Sequence, residues 1–252
     1  MLDPAPETIE PPVVLPPAVL PIERAAAALE VILCSGFPTQ ILIITVLSLS
    51  GMKVRLDDGK LSAPFIFTLT LLDTLFIVGL VVFFMRAHRE SVREQLFGRV
   101  RQWREVLFGL ALIPASFMVI IAVLMLVQLL VPGLRNVPQN PFQDLARNRW
   151  DAAVFAFVVT IAGGVREEIQ RGFILRRFEQ FLGGGTVGLV IFSTLFGLGH
   201  LEQGRDVALA TGALGAFWGA IFLRRRSITG PMVGHAGFNL AQVLNFVIRQ
   251  GR

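Results

Sequence analysis

Residues 106–131 form a run of 26 without one charged side chain. As a helix at 1.5 Å per residue, that run is long enough to cross about 30 Å of hydrocarbon. It is not alone. Residues 61–85 carry a single acid, Asp73, and residues 30–50 carry none after Glu30. Over the whole chain 54% of residues are hydrophobic and 16% charged, which places it outside the range of soluble domains. Lipid leaves no water to satisfy a backbone, so spanning segments must be helices or closed barrels, and apolar runs of about 20 residues select helices. The expectation is an all-α fold, a multi-pass transmembrane helical bundle of about seven or eight helices.

The rest of the chain divides around these runs. Residues 1–24 hold Pro4, Pro6, Pro11, Pro12, Pro16, Pro17 and Pro21, with acids and no early Lys or Arg. That composition predicts an extended, disordered Pro-rich tail rather than a signal peptide. Residues 25–150 are expected to hold the N-terminal membrane helices: spans at 30–50, kinked at Pro38, at 61–85 and at 106–131, with a basic amphipathic connector at 86–104. Asp73 is expected to hydrogen-bond to a neighbouring helix. Residues 151–252 carry the polar motifs. Here a helix is expected over 151–181, broken by Gly183-Gly184-Gly185, followed by helices at 186–201, 207–223 and 229–248. Gly215 and Gly219 have the spacing of a close-packed helix contact.

Charge then sets topology. With seven spans, fourteen Lys and Arg residues fall on the N-terminal side of the membrane and nine on the other. That excess predicts a cytoplasmic N-terminus, in a protein of the bacterial cytoplasmic membrane. The net charge of +5 is therefore a topology signal and no reason to invoke nucleic acid. Cys34 is the only cysteine, so neither an intrachain disulfide nor a cysteine-based metal site is open to this chain.

Against this apolar background, Arg166-Glu167-Glu168-Ile169-Gln170-Arg171-Gly172 packs two carboxylates and two guanidiniums beside hydrocarbon. Ionisable groups at membrane depth are costly and mark functional sites by default. Two later segments are also polar, Phe196 to His200 and His235 to Asn239. Counted from the glycine turn, Glu167 and His200 each stand roughly 25 Å along their helices, so they are level. His235 and Asn239 enter from the same side, at roughly 13–20 Å. Glu167 and Arg171 are four apart and share a helix face, which lets them pair. Glu168 is about 100° round, so one carboxylate can face a pocket while the other braces Arg171. Taken separately, a solvated helix end, a boundary histidine and inter-helix hydrogen bonds would account for these groups. Together they predict one intramembrane polar site.

These motifs resemble those of the CPBP family of intramembrane proteases, also called the CAAX prenyl protease or Abi family. Its members carry Glu-Glu-x-x-x-Arg, Phe-x-x-x-His and His-x-x-x-Asn or Asp on successive membrane helices. Phe196 to His200 and His235 to Asn239 match at the family spacing, and the resemblance covers residues 150–248. The first motif departs from it, with two residues between the acids and Arg171 instead of three. Glu167 is acidic whether the motif is aligned on the acids or on the arginine.

The resemblance implies a peptide hydrolase working inside the bilayer. Glu167 and His200 would hold and deprotonate a water, and His235 and Asn239 would donate to the oxyanion. Glu168 and Arg171 would orient Glu167. No cofactor is required on that reading, although Glu167, His200 and His235 also make a possible zinc set. The implied partners are the lipid bilayer and a peptide or membrane-protein substrate, with a prenylated Cys-a-a-X tail as the family's best-known type. The alternatives are a non-catalytic membrane protein that binds a partner, of the bacteriocin-immunity or regulatory type, and a proton-coupled transporter.

Overall fold

The computed structural model describes residues 19–250, apart from 139 and 147. The Pro-rich stretch up to residue 18 lies outside the described residues. Nine α-helices follow one another: α1 (Pro21–Leu33), α2 (Phe37–Leu49), α3 (Ala63–Ala87), α4 (Gln102–Leu130), α5 (Arg149–Val159), α6 (Glu167–Phe181), α7 (Gly185–Leu198), α8 (Arg205–Arg225) and α9 (Thr229–Gln250). No strand occurs among the described residues, so the all-α expectation holds.

The spans correct the simpler picture in three places. The first begins at Pro21, inside the stretch read as tail, and is two helices meeting at about 40°. The break falls at Cys34–Gly36, not at Pro38, which sits in the first turn of α2 where its missing N–H costs nothing. Gly36 makes the corner with φ +90°, a left-handed conformation that other residues rarely adopt. Next, the helix expected over 151–181 is interrupted by a wide π turn, Thr160–Arg166, between α5 and α6. Last, not all seven spans cross by length and apolarity. Among the described residues α3, α4 and α8 do, and the bent α1–α2 pair makes a fourth. The helix α7 has only 14 residues, and α6 and α9 carry the polar motifs that lower their hydropathy.

The centre of the bundle is α6. Every residue from Gln170 to Leu175 is buried, so the helix is enclosed on all sides although it carries charge. Cys34, Met85, Leu96, Phe222 and Ile228 pack against its apolar positions Phe173, Ile174 and Phe178. Its buried cation Arg177 donates to Glu30 of α1 at 2.5 Å and to Glu90 at 2.8 Å, with His88 a further 2.5 Å neighbour of Glu30. This cluster fastens α1 and the end of α3 to α6. As the triple glycine predicts, α6 ends there: Gly183 and Gly184 take φ of +95° and +100°, and Gly184 N–H closes the helix on Phe178 O at 2.8 Å.

The start of α9 is sunk into the protein. Ser227 and Ile228 are fully buried, and Ile228 N–H donates to Leu96 O of the connector at 2.8 Å. That connector is no amphipathic helix; its only helical turn is Arg93–Phe97. Raising the N-terminus of α9 off the arginine-rich end lifts His235 to the height of Glu168. The mismatch in depth expected from helix lengths is absorbed there.

Candidate active site

A charge at membrane depth must be paired, and Arg171 shows how far this chain goes to do so. Its side chain is wholly buried and pairs with Glu168, which is 1% exposed. The rings of Phe196, Phe192 and Trp218 surround the guanidinium at 5.0, 5.3 and 5.7 Å, within the range of cation–π attraction. Gly219 makes room for it, since a Cβ there would stand 3.3 Å from Arg171 Cδ and 2.5 Å from Leu189 Cδ1. The expected Glu167–Arg171 pairing does not form, because the arginine lies under the aromatic rings of α7 and α8 with the neighbouring acid.

Glu168 makes a second bond, to His235 Nδ1 at 2.8 Å. The ring of His235 is stacked on Trp218 at 3.9 Å between centroids, so its plane is fixed as well. A carboxylate on Nδ1 holds that nitrogen as the donor and turns Nε2 toward the site. Glu168 and Arg171 thus orient His235, where the resemblance implied that they orient Glu167.

Glu167 points the other way, into a cavity of about 330 Å³ walled by α2, α3, α6 and α7. Its side chain is 17% exposed, with Arg166 Nη1 at 3.7 Å and His235 Nε2 at 3.8 Å, both beyond hydrogen-bond distance. His200 lines the same cavity, just past the end of α7, with Nδ1 2.8 Å from Phe196 O. Glu167 lies about 21 Å from the far end of α6 and α7 is itself about 20 Å long, which explains why the two are level. Asn239 is not on the cavity wall. Its amide donates to Val159 O at 3.4 Å and lies over Gly163. A Cβ on Gly163 would strike Asn239 Nδ2 and stand 3.3 Å from His235 Nε2, so both nitrogens converge on the space that this glycine leaves open.

The structure therefore joins Glu168, Arg171 and His235 directly, sets Glu167 within 4 Å of His235, and puts His200 across a shared cavity. Among the described residues no group of three or more His, Cys, Asp or Glu side chains is disposed to hold a metal ion. The zinc set read from the sequence is divided, since His235 commits Nδ1 to Glu168.

Two participants escaped the sequence. Trp218 has no motif around it, and only its place one turn before Phe222 hints at burial. Asp73 was expected to bond to a neighbouring helix, and it does: it meets Arg166 and accepts from Thr39 Oγ1 at 2.5 Å. Nothing in the sequence pointed to Arg166 as its partner.

Fold and site together define a helical integral membrane protein with an ionisable cluster held inside its bundle. Residues 149–241 match the family model of type II CAAX prenyl endopeptidases, Rce1-like. The match runs from the start of α5 through Asn239, which bears out the resemblance carried by the three motifs. No curated protein and no solved structure matches the chain.

Proposed function

We propose that the protein is an intramembrane endopeptidase that hydrolyses a peptide bond near the membrane, with CAAX-type C-terminal processing as its reaction class. The observation that carries this reading is the pairing of an unengaged carboxylate, Glu167, with His200 across one cavity at the same depth. Glu167 and His200 hold a water between them and take its proton as it attacks the carbonyl. His235, carrying both ring protons, and Asn239, exchanging its long bond to Val159 O, donate to the oxyanion. The convergence of their nitrogens beside Gly163 supports that role. Glu168 and Arg171 keep the histidine in place. No metal is assigned to the reaction. The substrate is a peptide or membrane-protein segment that enters from the bilayer, and a prenylated tail is one form of it.

The test is cleavage of fluorogenic peptides, prenylated and unprenylated, by the purified chain in detergent. His200→Ala is expected to lower turnover about 10²-fold, and a chelator is expected to leave it unchanged. Turnover that survives His200→Ala and Glu167→Ala would sink the reading. Chelator sensitivity reversed by zinc would replace the mechanism with a metal-dependent one. Gly163→Ala offers a finer check. Its methyl group occupies the space where the donors converge and displaces the Asn239 amide, so kcat should fall up to about 10²-fold with KM little changed. Unchanged kcat would remove Asn239 from the oxyanion site.

A further inference from the structure

Glu167 has a cationic neighbour with no part in this chemistry. Arg166 precedes it in the chain, lines the same cavity and is 10% exposed. A guanidinium beside a carboxylate in a poorly hydrated site ordinarily closes into a short, charge-assisted pair. Here it does not: Arg166 Nη1 stops 3.7 Å from Glu167, about 1 Å too far.

What stops it is a set of contacts from three other parts of the fold. Arg166 Nη2 meets Asp73 of α3, and Nη1 donates to Gln170 Oε1 at 3.3 Å. Asp73 is 1% exposed and held in turn by Thr39 Oγ1 at 2.5 Å and Gln40 Nε2 at 3.4 Å, both on α2. Gln170 is anchored by a 2.7 Å bond to Cys34 O at the α1–α2 break. Gly36 lets that break come close, since a Cβ there would stand 3.4 Å from both Arg166 Nη2 and Gln170 Nε2. A buried ion pair is weak evidence for stability, because desolvation offsets most of its attraction. Keeping this one in place calls for another reason.

We propose that Asp73 is a positioning residue for the reaction, holding Arg166 off Glu167 so that the carboxylate stays open to water. The inference rests on the peptidase reading of Glu167. Without Asp73, the guanidinium is released next to Glu167, closes the gap and occupies the oxygen that must engage water.

The experiment compares Asp73→Asn with the double variant Asp73→Asn/Arg166→Gln, as full chains in detergent. Steady-state kinetics are followed together with thermal unfolding. Asp73→Asn is expected to lower kcat by about 10²-fold with KM within about twofold. The double variant removes the released cation and is expected to recover at least about tenfold of that loss. Asp73→Glu, which keeps the charge, is expected to retain more turnover than Asp73→Asn. If Asp73 were only a structural brace, the double variant would lose further contacts to Gln170 and turn over no faster than the single one, which overturns the proposal. A readout without turnover is modification of Glu167 by a membrane-permeant carbodiimide, located by mass spectrometry. Labelling should be slow in Asp73→Asn and restored in the double variant, and equal labelling in all three proteins overturns the proposal. Turnover persisting in Glu167→Gln would instead count against the peptidase reading, leaving the labelling series to decide the role of Asp73.

Discussion

Glu167→Gln is expected to lower kcat for peptide cleavage by about 10²–10⁴-fold without lowering the unfolding temperature. The amide keeps the shape of the carboxylate but cannot take a proton from water. Nothing structural is lost with the charge, because Glu167 has no hydrogen-bond partner in the protein and its nearest cations stand 3.7 and 3.8 Å away. KM should stay within about twofold, as expected when the lost interaction belongs to the transition state. Glu168→Gln, one residue on, should behave differently. It removes the charge that faces Arg171 and weakens the bond fixing His235, so stability and turnover fall together. Kinetics and thermal unfolding measured on both variants separate the two acids. A parallel loss of stability in Glu167→Gln would mean that the cavity-facing carboxylate is structural.

Arg171→Leu carries the largest expected cost to the fold, about 3–5 kcal/mol. The substitution strips a fully buried cation from Glu168, itself 1% exposed, leaving an anion with only His235 beside it. It also removes the group that the three aromatic rings enclose. Denaturant unfolding in mixed micelles would measure the loss. Replacing both members, as in Glu168→Gln/Arg171→Met, should restore much of the stability, because no uncompensated charge remains. It should not restore turnover, since His235 then lacks its carboxylate. A single variant as stable as the parent would show that water reaches this site and shields Glu168.

The large-scale architecture was legible because hydrocarbon demands long uncharged helices, and those stand out by composition. The runs that became α3 and α4 were found to within a few residues, and the triple glycine turns where its φ angles require. The meeting of the three motifs was legible too, since rise per residue is enough to compare depths along a hairpin. Finer features were not. The corner at Gly36 reads as an ordinary glycine within an apolar run, and only the guanidinium lying against it explains the break. The partner of Arg171 was misjudged between two adjacent acids, because pairing on one face was counted on the helix alone. Aromatic rings from α7 and α8 made the choice. Asp73 and Arg166 are far apart in sequence, and each was weighed against its own surroundings.

The turn at Thr160–Arg166 has a consequence for the shortened first motif. Its i→i+5 bonds take in one more residue per turn than an α-helix does. Directly after it, the spacing from the acids to Arg171 is one residue short of the family pattern. An added residue and a missing one, so close together, nearly cancel in rotational phase. The helical face that α5 offers to its neighbours therefore stays in step with the far half of α6, while the carboxylates between them are turned by about 100°. Over these few positions, distance counted in letters and direction in space come apart. Equivalence between this chain and its relatives is better judged by where each oxygen points than by its place in the string.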